Sequence, residues 1–495
     1  MPCTTLLVGR RASADGSPLV ARNEDSSDGT FDPKRVVVVQ PAEQPRTYTS
    51  VIGKRTIALP EEPLRYTAIP NALPDEGIWG CAGINAANVA MSATETITSN
   101  PRVLGADPLV EHDPATGAPG GFGEEDFVTL VLPYIRSARE GVERLGALLA
   151  EHGTYEMNGI AFSDEQDIWW LETVGGHHWI ARRVPEDHYV TMPNQLGIDS
   201  FDLDDAEGPG RDHLASPDLR EFLATHHLDL TRRTGDDSPA VFNPRETFGS
   251  HTDADHVYNT PRAWSMQRTL NPTSEDWDAG LPGASPDSDS LPWSRRPERL
   301  LTIEDVKDVL SSHYQGTVYD PYSARGTAAE RRAFRPIGIN RHNALAILQI
   351  RPDLPESHRA LQWIAYASLP FTTLIPMFTN VEDAPAYLTT TGASVSTDSF
   401  YWTSRMIAAL ADAHHAQIIP AIERYQQRTL ALGHAAVHAA TAAASSADDA
   451  AVPGLLAEAN TAIAEQIRTA TEALLGEVLA TASNHMTNRF SRSDG

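Results

Sequence analysis

The sequence predicts an α+β fold of stacked sheets covered by helices, and three observations carry that prediction. Strand-like runs dominate the first 200 of the 495 residues. Between Glu124 and His152 the apolar positions change from alternation to a helical spacing, and strand-like runs then resume. Beyond Phe400 the chain becomes a long, alanine-rich helical tail.

The opening reads MPCTTLLVGRRASADGSPLVARNED. Thr4 to Val8 is a strand-like run, Asp15-Gly16 marks a turn, and a second apolar run ends in Arg22-Asn23-Glu24-Asp25, which suits a β-hairpin. Arg35 to Gln40 is a short β-branched run, and Ile78 to Thr98 alternates as strands joined near Asn85 to Asn88 would. In the Glu124 to His152 segment, Phe127, Leu130, Val131, Tyr134, Ile135, Ala138, Val142, Leu145, Leu148 and Leu149 form a helical stripe. Glu124, Glu125 and Asp126 suit its positive N-terminal end, Pro133 predicts a kink and Gly153 a stop. Strands are then expected over Gly159 to Ser163, Asp167 to Val174, His177 to Val184 and His188 to Met192, with Gly175-Gly176 as a hairpin turn.

Ser200 to Ser250 is acidic and irregular apart from a short helix at Leu219 to Ala224, and Ser274 to Arg296 is loop-like. Thr302 can cap toward Asp305 to start a helix running to His313. Strand-like runs return at Ala344 to Ile350 and Leu361 to Ala367. In the tail, helices are expected over Phe400 to Leu432 and Pro453 to Ala482, separated by the stretch His434 to Ala451. Ile463, Ile467, Ala470, Leu474 and Val478 share one face, which suits packing on the core or on a partner subunit and leaves room for a homo-oligomer.

Charge and cysteine usage narrow the function. With 39 Lys and Arg against 66 Asp and Glu, the net charge of −27 argues against nucleic acid or anionic membrane as a partner. Two cysteines make neither a disulfide framework nor a four-cysteine zinc site, and Cys81, in GIWGCAGIN, reads as a small core residue. No basic flank followed by an apolar segment opens the chain, and no apolar run approaches 18 residues, so a cytoplasmic protein is expected.

Neither HExxH nor GxxxxGK[ST] occurs, and GAPGGFG (Gly117 to Gly123) reads as a flexible loop. The pairs His177-His178, His226-His227 and His414-His415 are sequential; adjacent side chains diverge on strands and helices, so surface or packing roles are expected. The opening hairpin would bring the Cys3 thiol, an arginine and an aspartate to one end of a sheet, either as a nucleophile whose base is its own α-amine or as a small buried thiol beside an ordinary exposed arginine.

That opening resembles the start of the C69-type dipeptidases, the dipeptidase A family of N-terminal nucleophile hydrolases, relatives of penicillin V acylases and bile salt hydrolases. The likeness recurs in order in INAANVAMSATET (Ile84 to Thr96), WLETVGGHHWIARRVPEDHYV (Trp170 to Val190), PNQ (Pro193 to Gln195), YNTPRAW (Tyr258 to Trp264), HYQGTVYDP (His313 to Pro321), LQIRPDLP (Leu348 to Pro355) and FYWTSR (Phe400 to Arg405). The resemblance implies an αββα sandwich of the N-terminal nucleophile type over residues 3–398, with insertions near 200–250 and 274–300 and a helical extension over 399–495. It implies short peptides as substrates and no metal or organic cofactor. Cys3 matches the nucleophile, Arg22 the arginine near the thiol, Asp25 the aspartate that holds the α-amine, Asn194 the oxyanion donor and Arg262 a supporting arginine. Thr94 falls near a further polar, substrate-binding position. An acylase acting on N-acyl amides, or a non-catalytic interaction protein of the same fold, are the alternatives.

Elementary chemistry fits these roles. An α-amine has a pKa of about 7.7–8.0 and can accept a thiol proton near neutral pH. A neighbouring Arg22 is expected to lower the thiol pKa, and Asp25 to orient the amine. Pro2 precedes Cys3, so the amine is locked in a peptide bond until the Pro2–Cys3 bond is cut.

Overall fold

The opening hairpin is the centre of a seven-stranded antiparallel sheet. In spatial order the strands are Ser294–Arg295, Tyr189–Met192, Thr4–Val8, Leu19–Asp25, His342–Ile350, Ala360–Tyr366 and Ile375–Phe378. Thr5 faces Arg22 and Leu7 faces Val20 across the hairpin, whose turn uses Gly16 at φ 77°. The computed structural model describes residues 3–26, 31–73, 77–93, 95–231, 241–277, 279–281 and 283–487.

A second antiparallel sheet runs His213–Ala215, Trp179–Arg183, Ile168–Thr173, Asn158–Ser163, Ala90–Ser92 and Ala82–Ile84, with Glu95–Thr96 also paired to Asn158–Ser163. The two-residue side-chain period of the strands sorts the core into layers. Leu7, Val20, Ala346 and Leu348 pack with Ala82, Ile84, Ala161 and Trp170 of the second sheet. The alternate set, Leu6, Val8, Leu19, Ala21 and Leu345, packs with Val306, Leu310, Val437 and Leu456 of helices. On the outer face of the second sheet, Ile160, Phe162 and Leu171 meet Phe127, Leu130, Val142 and Leu145. Helices therefore back each sheet and the sheets face one another.

Several expected elements differ in extent. Pro133 ends rather than kinks its helix: Glu124–Val131 gives way to a tight turn at Leu132–Tyr134, and a new helix, Ala138–His152, starts where Ser137 Oγ accepts the Glu140 N–H at 3.1 Å. Gly153, at φ 71°, ends it as expected. The helix capped by Thr302 and Asp305 stops at Leu310, three residues early. Helices Asp253–Tyr258 and Thr260–Leu270 and strand Ile375–Phe378 were not legible as elements.

The expected helix from Phe400 to Leu432 is divided after Asp412 into Phe400–Asp412 and a second helix that starts at His415. Helix His415–Ser445 runs through most of the alanine-rich stretch, as the helix propensity of alanine favours, and a short turn separates it from Val452–Asn484. The apolar stripe is used within the chain: Ile463 and Ile467 join the core between the sheets, and Leu474 and Val478 pack with Ile407, Ile418 and Ile422. Among the described residues no helix is long and apolar enough to cross a membrane.

Asn460 fastens the tail to the sheet edge. Its Oδ1 accepts from the Phe378 N–H at 2.8 Å and its Nδ2 donates to the Phe378 carbonyl at 2.9 Å. Asn460→Leu strands both backbone groups, and a loss of about 2–4 kcal/mol is expected, seen as a lower denaturant midpoint with an unchanged m-value.

Candidate active site

Cys3 lies immediately before the strand Thr4–Val8 and is fully buried. Arg22, opposite Thr5, projects toward the second sheet and donates from Nη2 to Cys3 Sγ at 2.9 Å. The same guanidinium pairs with Glu24 at 3.0 Å and with Glu124, and donates from Nη1 to the Cys81 carbonyl at 3.4 Å and to Cys81 Sγ at 3.6 Å. Glu24 also pairs with Lys34, whose Nζ donates to the Trp79 carbonyl at 3.1 Å. Two cations thus meet two carboxylates in the interior.

Arg22 acts on the thiol in the expected direction, but burial outweighs it. Loss of solvent pushes the Cys3 pKa well above its ordinary value; Arg22 pulls it down, while Glu124 and Glu95 push it up. Loss of water is the largest of these effects, and Glu124, which also pairs with Arg22, adds to it.

Arg262 holds the other side of Cys3. It comes from the first turn of helix Thr260–Leu270, which Pro261 opens. Its Nη1 donates to the Cys3 carbonyl and, at 2.7 Å, to Thr4 Oγ1. Its Nη2 donates to Asn194 Oδ1 at 2.7 Å and Asn259 Oδ1 at 2.8 Å, and its Nε to the Tyr258 carbonyl at 2.7 Å. Burial and neighbouring Arg335 bring the Arg262 pKa down to about 10. Asn194 is fixed at both ends, since its Nδ2 donates to the Thr96 carbonyl at 2.8 Å.

Asp25, at the end of its strand, is clasped by Arg335 and by His342, its partner in the sheet register. Burial alone would raise its carboxyl, but His342 and Arg335 outweigh it and hold the pKa at about 2. Among the described residues Arg335 Nε and Nη1 are buried without acceptors. Glu95, on the second sheet, accepts the Thr5 hydroxyl on Oε2 at 2.8 Å, while its Oε1 has no donor among the described residues. Burial pushes the Glu95 carboxyl up to about 8, against the pull of Arg262 and Arg22.

Five of the residues singled out from the sequence, Cys3, Arg22, Asp25, Asn194 and Arg262, are brought together; Thr94 lies outside the described residues. Glu95, Glu124, Arg335 and His342 were missed. Glu124 had been assigned only to the helix dipole, and Glu95 stood unremarked within INAANVAMSATET. Arg335 and His342 carry no local signal, because sheet register and a loop deliver them. The adjacent histidines are a correction of another kind. His177 and His178 sit in a turn, where both Nδ1 atoms converge on Asp107 at 3.0 and 2.8 Å. No group of three metal-ligating side chains occurs among the described residues.

Comparison with known proteins places this geometry in context. The family model "Peptidase family C69" matches residues 2–428. The chain is 55% identical to a "Dipeptidase" of Bifidobacterium longum and 54% identical to a "Probable dipeptidase A" of Streptococcus pyogenes serotype M3, with 100% of each chain covered in both cases. It is 42% identical to "Dipeptidase A" of Lactobacillus helveticus over 99% of each chain.

Glu95 makes stability depend on pH in a defined direction. The unfolded carboxyl releases its proton near 4.5 and the folded one near 8, so between these values the native state binds more protons. Its contribution to stability therefore falls as pH rises through that window and levels off above it. Glu95→Gln should gain on the wild type in melting temperature from pH 4.5 to 8; thermal melts across that range check the sign.

Proposed function

The chain belongs to peptidase family C69 and is a peptidase, and within that family we propose that it is a dipeptidase using Cys3 as an N-terminal nucleophile. The observation that carries this reading is the 2.9 Å contact between Arg22 Nη2 and the Cys3 thiol at the end of the central hairpin. Support comes from the grip of Arg262 on the carbonyl of the same cysteine and on the side chain of Asn194. The names carried by the full-length relatives supply the substrate class. The two facing sheets, each backed by helices, support assignment as an αββα sandwich of the N-terminal nucleophile type. Its catalytic domain is taken as residues 3–398, with 399–495 as a helical extension.

Hydrolysis of the Pro2–Cys3 bond frees the Cys3 α-amine. Burial raises the thiol pKa, so the thiol needs a base, and the amine, with a reference pKa of about 7.7–8.0, takes its proton. Arg22 stabilises the thiolate that forms, and Asp25 orients the amine. The thiolate attacks the scissile carbonyl carbon. An Asn194 Nδ2–H stabilises the resulting oxyanion, a contribution of roughly 3 kcal/mol for one such donor. As the C–N bond breaks, the protonated amine returns its proton to the leaving nitrogen, leaving the acyl group as a thioester on Cys3. Water, deprotonated by the same amine, hydrolyses that thioester and restores the thiol.

Cys3→Ala is expected to lower dipeptide hydrolysis by about 10⁴-fold or more while leaving the melting temperature within a few degrees of the wild type. N-terminal sequencing of active protein should begin at Cys3, and chelators should leave the rate unchanged. Activity in a chain that retains Pro2, or in Cys3→Ala, contradicts the mechanism.

A further inference from the structure

We propose that Glu95 and Arg335 hold the two charged ends of the substrate, Glu95 Oε1 accepting from the α-ammonium of a dipeptide and the spare Arg335 N–H groups donating to its terminal carboxylate. The assignment rests on the dipeptidase reading above and extends it to the choice of substrate.

Both side chains are buried with hydrogen-bonding capacity left over among the described residues. Glu95 is 0% exposed and Arg335 8%. The other carboxylates of the cluster are committed: Glu24 to Arg22 and Lys34, Glu124 to Arg22, and Asp25 to Arg335 and His342. Among the described residues Glu95 has the Thr5 hydroxyl on one oxygen and no donor on the other. Arg335 spends Nη2 on Asp25 and, among the described residues, keeps Nε and Nη1 without acceptors, its guanidinium lying 5.0 Å from the Tyr258 ring centroid. A buried polar group left unpaired is costly, and an unpaired carboxyl oxygen and unpaired guanidinium N–H groups in one cluster are complementary to the two ends of a zwitterion.

Their places suit the reaction. In a dipeptide a single Cα separates the ammonium from the scissile carbonyl, so its acceptor must sit beside the nucleophile. Glu95 is tied to Thr5, two residues along the chain from Cys3. The next residue, Thr96, accepts from Asn194, the oxyanion donor of the proposed mechanism. On the leaving side, a single Cα separates the scissile nitrogen from the terminal carboxylate. That nitrogen receives its proton from the amine oriented by Asp25, and Asp25 is the partner of Arg335. A third residue would carry the carboxylate about 3.5 Å beyond this donor, which favours dipeptides over longer chains.

The test compares alanyl-alanine, N-acetylalanyl-alanine and alanyl-alaninamide with processed wild type, Glu95→Gln and Arg335→Lys. The wild type should prefer the free dipeptide over both blocked forms. Glu95→Gln should lower kcat/KM for the free dipeptide roughly 10- to 100-fold, mainly through KM, and erase the preference over the N-acetyl form alone. Arg335→Lys should instead erase the preference over the amide. Wild type that cuts the N-acetyl form as fast as the free dipeptide, or Glu95→Gln that keeps the full preference, overturns the assignment while leaving dipeptidase activity standing. Wild type that cuts none of the three strikes the dipeptidase reading itself. If a variant melts far below the wild type, the wild type's ranking of the three substrates decides.

Discussion

A guanidinium removed from water between two sheets sets the terms for the rest of this protein. Arg22 is 0% exposed, and a buried cation is tolerable only with carboxylates in contact and its N–H groups satisfied. Glu24 and Glu124 meet that demand, and Glu24 in turn requires Lys34. The network therefore ties the opening hairpin to the first turn of helix Glu124–Val131 and to the segment around Lys34. The chain bends to complete it: Trp79 and Cys81 adopt left-handed φ values of 52° and 55°, and the carbonyls of both accept from the buried cations.

Cys3 is gripped from two directions by two arginines with different tasks. Arg22 contacts the thiol, whereas Arg262 contacts the backbone carbonyl and carries the hydrogen-bond load of Asn194 and Asn259. Fixing both the main chain and the sulfur confines the thiol to one position, and the prearranged hydrogen bonds need no reorganisation when charge develops. Burial raises the pKa of the sulfur, which places the demand for a nearby base on whatever faces it.

The tail takes part in this arrangement. Arg405, on helix Phe400–Asp412, donates to the carbonyl of His342 at 2.6 Å, and His342 clasps Asp25. Asn460 on the last helix bonds both backbone groups of Phe378 at the sheet edge. The central sheet is therefore backed by helices encoded beyond its last strand, and part of the candidate site's outer support comes from the same region.

Much of the fold could be read from local pattern. The period-two runs of the hairpin, the glycine turn at Gly16, the caps at Thr302 and the stop at Gly153 depend on neighbours a few residues away. The order of motifs that identified Cys3, Arg22, Asp25, Asn194 and Arg262 is likewise a property of the chain as written. Tertiary structure alone decided what those residues meet. Glu124 could serve a helix dipole or a buried arginine, and only packing the helix on the second sheet chose the arginine. Glu95, Arg335 and His342 come from separate segments, and sheet register and loop closure brought them to Cys3 and Asp25. The thiol's protonation was decided there as well. Sequence shows that an arginine is near the thiol, but the balance between its charge, two carboxylates and the loss of water is a three-dimensional sum.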